Sequence, residues 1–287
     1  MIELFHGIKL DIYFNMISYI GGKSRMAKWI CEYIPNDIKT YVEVFGGAFW
    51  VYVKGDIHEK PLLQEVIYND KNKFMTNMFE CFRDPETFSE VLALTKSQDH
   101  LVFTRAQENL NVIAKGNCNF ELGDLELAHQ YAYVATQVFS GSKILESKFI
   151  DLKGKYSSKY DALQRRLKNP DVINRITKIT ACENLDYMEC IMKYDGARTF
   201  FYIDPPYWKT EKYYSNHDFD KNDHEFMSVL LNEIRGKFAL SYYDFKGLED
   251  MYPKKDYRWV EKEFTKAAGA QKGKKQTKGQ ELLIMNY

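Results

Sequence analysis

Four consecutive residues carry the most distinctive chemistry of this 287-residue sequence: Asp204, Pro205, Pro206 and Tyr207. They directly follow the apolar run RTFFYI, which predicts a strand covered on both faces. Prolines fix the backbone and withhold N–H donors, so a carboxylate and carbonyl oxygens remain as a rigid set of acceptors. Such a set suits a flat substrate with an amino group, because holding the N–H bonds turns the nitrogen lone pair out of ring conjugation. Tyr207 offers a face on which that ring can stack.

A Gly-Gly-Lys-Ser stretch at 21–24 could indicate a second function, the binding of nucleotide phosphates by a P-loop. A P-loop needs a glycine five residues before its second one, because both glycines let backbone N–H groups wrap the phosphates. This chain has Ile17 at that position, and the preceding LDIYFNMIS is a poor candidate for a buried strand. The P-loop interpretation is therefore disfavoured, and Gly21, Gly22 and Lys23 need another role.

The composition narrows the class of protein. Lys and Arg number 40, as do Asp and Glu, so the formal net charge is zero, and only local charge can favour a polyanionic partner. Five cysteines without a C-x-x-C pair predict reduced thiols, and the histidines show no ligand spacing, so we expect no metal. No apolar run approaches the roughly 20 residues of a membrane span, which predicts an intracellular, soluble protein. Residues 1–15 are expected to be an amino-terminal extension.

The order of predicted elements indicates an α/β protein. TYVEVFGGAF has the strand–turn–helix pattern that opens a doubly wound sheet, and LLQEVIYND predicts a second strand that ends on Asp70. From 81 to 176 the pattern is helical and partly basic. We therefore expect one α/β domain built from residues 16–80 and 177–287, with a helical insertion at 81–176. Further strands are predicted in KITAC, RTFFYI, KFALSYY, YRWVEKEF and ELLIMNY.

Short motifs in a fixed order make the sequence similar to one known family. They are GGK, YVEVFGGA, YND, NLDY, FYIDPPY, LSYYD and ELLIMNY. Together they resemble the Dam-like family of DNA adenine methyltransferases, which use S-adenosylmethionine. The resemblance implies a Rossmann-like methyltransferase sheet with an inserted helical target-recognition domain. It also implies site-specific methylation of the exocyclic amine of an adenine that is flipped out of duplex DNA.

The same motifs imply which residues bind the cofactor. Lys23 is implied to lie by the methionine end of the cofactor and the active site, Asp70 to bind the ribose hydroxyls, and Asp186 to face the adenine. The chain departs from the family at Phe49, followed by Trp50, where the family usually has a further glycine. The catalytic residues implied are Asp204, Pro205, Pro206 and Tyr207. The cofactor-binding residues implied are Tyr19, Gly21, Gly22, Lys23, Glu43, Phe45, Gly46, Gly47, Ala48, Asp70, Asp186 and Asp204.

Two basic segments are predicted to contact DNA phosphates. One runs from about 143 to 178 and coincides with the insertion, and the other joins the last two strands, where a solvated charged face is an equally good interpretation. FSGSK resembles the start of the family's recognition loop, but the residues after it lack the pattern of members that methylate GATC. The target sequence is therefore not transferable. The predicted DNA-binding residues are Lys143, Arg165, Arg166, Lys272, Lys274 and Lys275.

The resemblance also implies partners, and the residues leave alternatives open. Double-stranded DNA is the expected substrate, a restriction endonuclease is a possible partner, and we expect a monomer or weak dimer in the cytoplasm of a prokaryote or of a phage-infected host. Carbon-5 methylation of cytosine needs a cysteine, usually after a proline, and no proline here precedes a cysteine. The alternatives are amino methylation of cytosine or of RNA, and a catalytically silent DNA-binding module of the same fold.

Overall fold

A computed structural model describes residues 22–93, 99–138, 144–149, 163, 165, 167–210, 219–265 and 278–287. The extension predicted at 1–15 lies outside these ranges. So do several of the predicted site residues, and for them the assignments stay predictions. They are Tyr19 and Gly21 of the cofactor set, and Lys143, Arg166, Lys272, Lys274 and Lys275 of the DNA-binding set.

A seven-stranded sheet with the order β3-β2-β1-β4-β5-β7-β6 forms the centre of the fold. The first five strands run parallel, and β7 pairs antiparallel with both β5 and β6. The predicted α/β class is confirmed, and each predicted strand is present. The strands are β1 Thr40–Glu43, β2 Glu65–Asn69, β3 Ala181–Glu183, β4 Thr199–Ile203, β5 Lys237–Tyr242, β6 Arg258–Thr265 and β7 Lys278–Met285.

The strand order reverses at β1, and this point determines where a ligand can bind. From β1 the chain adds β2 and β3 on one side, and then returns to add β4 and β5 on the other. In an open parallel sheet such a reversal leaves a crevice outside the carboxyl ends of the strands. All five residues of β4 are buried, as expected for a strand covered by helices on both faces.

Helices cover both faces of the sheet, and two of them begin at an aspartate whose side chain accepts backbone N–H groups of the first turn. Asp84 accepts hydrogen bonds from the backbone N–H groups of Glu86 and Thr87, and Asp124 accepts one from Leu127. No helix within the described ranges has the length and apolarity that a bilayer crossing requires. The helices are α1 Ala27–Cys31, α2 Trp50–Lys54, α3 Lys73–Arg83, α4 Pro85–Ala93, α5 His100–Lys115, α6 Leu125–Gln137, α7 Pro170–Ile176, α8 Tyr187–Tyr194, α9 Lys221–Glu233 and α10 Leu248–Met251.

Buried side chains form two clusters, one on each side of the sheet. The first runs from the sheet through α3 into the helices of the predicted insertion, so that Tyr68, Phe79 and Tyr131 belong to one core. The second packs α8 and α9 against Phe201 and Ile203 of β4. The insertion therefore shares its core with one face of the sheet, and its predicted boundaries at 81 and 176 stay a prediction.

Candidate active site

The loops that follow β1, β2, β3 and β4 surround one cleft with about 1120 Å³ of empty space, part of it open to solvent. It lies at the crevice where the strand order reverses. Most of the predicted cofactor residues that the structure describes meet there. Pro205 and Tyr207 belong to the loop after β4 but are not among the residues that line the cleft. Arg165, in the insertion, does not line the cleft either. The predicted residues that line the cleft are Gly22, Lys23, Glu43, Phe45, Gly46, Gly47, Ala48, Asp70, Asp186, Asp204 and Pro206.

The glycine loop after β1 is attached to the end of β2. Gly46 donates its N–H to the carbonyl of Asn69 at 2.7 Å, and a Cβ on Gly46 would lie 2.9 Å from that carbonyl oxygen. Gly47 has a φ of 47°, in the left-handed region that glycine adopts at little cost. The glycines therefore allow two backbones to approach closely at the floor of the cleft.

Asp70, the residue directly after β2, also binds the glycine loop. Its two carboxylate oxygens accept backbone N–H groups, one from Gly47 and one from Asn72, each at 2.7 Å. Burial raises the pKa of Asp70 to about 6. Each carboxylate oxygen keeps a further lone pair, so the side chain can still accept hydrogen bonds from a ligand with two neighbouring hydroxyl groups.

The loop after β3 forms the opposite wall. Asp186 begins α8 as its N-cap, accepting from Met188 at 3.0 Å, and its backbone is held in turn by Glu189. The ring of Phe45, from the loop after β1, stacks on Tyr187 with the centroids 5.9 Å apart. The wall thus combines a carboxylate with aromatic rings.

Asn69 is a site residue that the sequence analysis did not assign. Its amide donates to the carbonyl of Val44 at 2.7 Å and accepts from the N–H of Leu185 at 3.0 Å. It therefore ties the loop after β1 to the loop after β3. The available signal was a polar residue at the end of an otherwise buried strand, within the motif YND.

Phe49, at which the chain departs from the family, leaves the cleft open. The residue has a φ of 56°, a conformation that suits glycine, and its side chain is fully buried. The ring stacks on Tyr52 at 4.7 Å and meets Tyr68 edge-on at 5.1 Å, so it fills the core rather than the cleft. Trp50, in contrast, lines the cleft.

A buried group of charged and aromatic side chains lies at the end of the cleft beside β4. The Lys23 ammonium is 2.8 Å from a carboxylate oxygen of Asp204 and 3.5 Å from one of Glu281. The Tyr207 hydroxyl donates to Glu281, and Lys23 Nζ lies 4.7 Å from the centroid of the Tyr207 ring. Burial raises the pKa of Asp204, and the ammonium of Lys23 opposes that rise. Lys23 therefore favours the ionised form of this carboxylate, whereas burial favours the protonated form.

Glu43 differs from Asp204 in its partners. One of its oxygens accepts from the Tyr41 hydroxyl at 2.7 Å and from the backbone N–H of Tyr52 at 2.8 Å. Burial raises the pKa of Glu43 to about 8, and the negative charge of Asp204 adds to the rise. Glu43 is accordingly mostly protonated at neutral pH, and it holds the start of α2 against β1.

The described residues contain no group of three or more His, Cys, Asp and Glu side chains that could hold a metal ion. The sheet and the cleft define an α/β protein of the methyltransferase type. Residues 19–267 match the family of D12 class N6 adenine-specific DNA methyltransferases. The chain belongs to this family, which confirms the resemblance drawn from the ordered motifs and the predicted class of enzyme.

Known modification enzymes are similar to the chain at low identity. It is 25% identical over 301 residues to the type II methyltransferase M.MjaIII of Methanocaldococcus jannaschii, with 94% of this chain and 98% of that protein aligned. It is 21% identical over 237 residues to the modification methylase StsI of Streptococcus sanguinis, with 78% of this chain aligned. The alignment spans 34% of the StsI methylase, about a third of its length.

Proposed function

We propose that the chain transfers a methyl group from S-adenosylmethionine to the N6 amine of an adenine flipped out of duplex DNA. The observation that carries this proposal is the ion pair of Lys23 and Asp204, 2.8 Å long, at the end of the cleft. It favours the ionised form of an acceptor that directly precedes two prolines, where an amino group can be held. Family membership supports adenine as the base.

Residues along the cleft support this cofactor. Asp70 would accept hydrogen bonds from the vicinal ribose hydroxyls through its remaining lone pairs. Asp186 and the ring of Phe45 would bound the adenine, and the backbone of Gly46 and Gly47 would lie against the methionine part. S-adenosylmethionine, when bound, supplies a methyl group activated by its sulfonium.

The residues after β4 would act on the amine. Asp204 and the carbonyl oxygen of Pro205 accept its N–H bonds, which directs the nitrogen lone pair towards the methyl group. As the nitrogen becomes positively charged, the carboxylate of Asp204 stabilises that charge in a site with little water. The amine is inside the duplex, so the base must be flipped out, and Tyr207 supplies a stacking face. Proximity and alignment would provide most of the acceleration.

The names of the relatives support a setting for this reaction. Both M.MjaIII and M2.HphI of Haemophilus parahaemolyticus are named type II methyltransferases, and the second is 47% identical over 32 residues, which are 11% of this chain and 10% of that protein. We infer that the chain modifies DNA in a restriction–modification setting in the cytoplasm, with a restriction endonuclease as partner.

Incubation with methyl-labelled S-adenosylmethionine and duplex DNA, followed by hydrolysis to nucleosides, tests the proposal. The label should appear in N6-methyladenine, and long-read mapping of the same DNA should give one sequence context. Label in N4-methylcytosine, or transfer to RNA alone, would overturn the choice of substrate. Cofactor binding without transfer to any nucleic acid would instead identify a catalytically silent DNA-binding module.

A further inference from the structure

Glu281 is a buried carboxylate to which neither the motifs nor the proposed reaction assigns a role. It lies in the antiparallel strand β7, and only 2% of its surface is exposed. The pairing of Leu282 with Tyr242 brings β7 beside the carboxyl end of β5. A residue more than 70 positions after Asp204 therefore reaches the end of the cleft.

Two contacts join Glu281 to the residues of the proposed reaction. It accepts a hydrogen bond from the Tyr207 hydroxyl, which fixes the Tyr207 ring at the edge of the site. The same oxygen lies 3.5 Å from the Lys23 ammonium, which also pairs with Asp204 at 2.8 Å. The two carboxylates thus compete for one ammonium.

This competition has an electrostatic consequence. With both acids ionised, the group formed by Lys23, Asp204 and Glu281 carries a charge of −1, and in a buried site such a charge is weakly screened. The reaction moves a positive charge onto the amine nitrogen, and a net negative group opposite it favours that change. With Glu281 neutral, the ammonium would be satisfied by Asp204 alone and the group would be neutral.

We propose that Glu281 is a positioning residue for methyl transfer. It anchors the Tyr207 hydroxyl and shares the Lys23 ammonium with Asp204, so that the ammonium neutralises less of the negative charge with which Asp204 holds the amine. This inference rests on the proposed function, since it acts through Asp204 and Tyr207. Other titratable or charged groups facing the cluster are Glu43 on β1, Tyr202 on β4, Tyr243 after β5 and Lys262, the β6 register partner of Glu281.

The pH dependence of single-turnover methyl transfer, at saturating cofactor and DNA, tests the proposal. Glu281→Gln keeps the size and an acceptor for Tyr207 but removes the charge. We expect its maximal rate to fall at least about tenfold, with DNA affinity within about threefold of the parent. Removing a like charge lowers the pKa of Asp204. The rate falls on the acid side of the pH–rate profile, here called the acid limb. This limb should therefore move to lower pH in Glu281→Gln. Glu261→Gln, at an exposed glutamate of β6, is the matched control and should change neither quantity.

Tyr207→Phe provides an independent variant at the other end of the contact. It keeps the stacking ring but removes a hydroxyl whose hydrogen bonds favour the ionised forms of both Asp204 and Glu281, so the acid limb should move to higher pH. Opposite movements of the limb in the two variants support the proposal. A Glu281→Gln variant with an unmoved limb, whatever its rate, would overturn it, because a merely structural role leaves the limb in place. If Glu281→Gln does not fold, an unmoved limb in Tyr207→Phe overturns it.

Asp204→Asn in the same assay separates this inference from the function on which it rests. If Asp204→Asn is inactive and Glu281→Gln behaves as the parent, only the role of Glu281 is wrong. If Asp204→Asn keeps the parental rate, the proposed function itself is wrong.

Discussion

Three carboxylates of the cleft, two buried and one half-buried, differ in their partners, and the partners influence their charge. Asp204 has the ammonium of Lys23, whereas Asp70 has only neutral backbone donors and Glu43 a hydroxyl and one backbone N–H. A full opposite charge favours ionisation more than neutral donors do. We therefore propose Asp204 as the acceptor of the reaction, Asp70 as a cofactor-binding residue and Glu43 as a positioning residue.

Replacement of Asp70 tests the cofactor assignment. Asp70→Asn should weaken S-adenosylmethionine binding by about 1–3 kcal/mol, because charge-assisted hydrogen bonds to the ribose hydroxyls are lost. Isothermal titration calorimetry measures the affinity. Asp37→Asn, at an exposed carboxylate paired with Lys237, is the control and should bind as the parent does. Equal affinities for all three proteins would remove Asp70 from the cofactor site.

The raised pKa of Glu43 predicts that the free energy of unfolding depends on pH. Its pKa is raised in the folded state from 4.5 to about 8, so the folded state binds this proton more tightly than the unfolded chain does. Stability from this group is therefore complete below about pH 4.5 and is lost as pH rises towards 8. Glu43→Gln keeps the acceptor for Tyr41 and Tyr52 but does not titrate.

The expected result is a Tm difference between Glu43→Gln and the parent that grows in favour of the variant from pH 5 to pH 8.5. Thermal denaturation followed by circular dichroism across this range measures it. A difference that is constant with pH would show that Glu43 titrates in the folded protein as it does in the unfolded chain.

At the scale of elements, the turn from β1 into α2 combines a strained backbone with a buried ring. Phe49 adopts a left-handed conformation, which costs a non-glycine residue on the order of 1–3 kcal/mol. Burial of its ring between Tyr52 and Tyr68 offsets that cost. The position thus favours glycine by its backbone and phenylalanine by its packing.

Substitutions at Phe49 should separate these two effects. Phe49→Ala should lower the free energy of unfolding by about 3–5 kcal/mol through loss of the ring. Phe49→Gly should be more stable than Phe49→Ala by about 1 kcal/mol, since glycine accepts the positive φ. At Val53, buried in the helix α2, the order should reverse, with Val53→Gly less stable than Val53→Ala. Urea unfolding measures the stability of all four variants. The same order of the Ala and Gly variants at both positions would show that the backbone of Phe49 does not favour glycine.

The strands and the place of the Asp204 loop at the cleft could be predicted from the sequence because their signals are local. The run TFFYI followed by Asp204 and two prolines contains both the buried strand and its acceptors. The role of Glu281 could not be predicted, since it depends on the antiparallel pairing of β7 with β5. Asn69 was missed for a similar reason, because its partners Val44 and Leu185 come from loops distant in the chain.

At the scale of the whole molecule, a zero net charge means that DNA must be bound by local basic surfaces. Arg165 is the one predicted phosphate contact in the described part of the chain, and it is exposed in the insertion. Its assignment stays a prediction. Phosphate contacts release counterions, so their number appears in the salt dependence of binding.

Arg165→Ala should weaken binding to all DNA sequences and flatten the plot of log affinity against log salt by about one unit. Fluorescence anisotropy at several salt concentrations measures the slope. Lys255→Ala is the matched control, because Lys255 is exposed near the start of β6, where β5 also begins, at the sheet edge opposite the cleft. A slope equal to that of the parent in both variants would place Arg165 away from DNA.

The proposed orientation of the target amine by Asp204 is tested by single-turnover methyl transfer with the Asp204→Ala variant. At saturating cofactor and DNA we expect no transfer above background, because the amine loses its acceptor and its developing charge loses a counter-charge. DNA affinity should change little, since phosphate contacts dominate it. Asp37→Ala should keep the parental rate. A rate for Asp204→Ala within about tenfold of the parent would contradict the account of the active site.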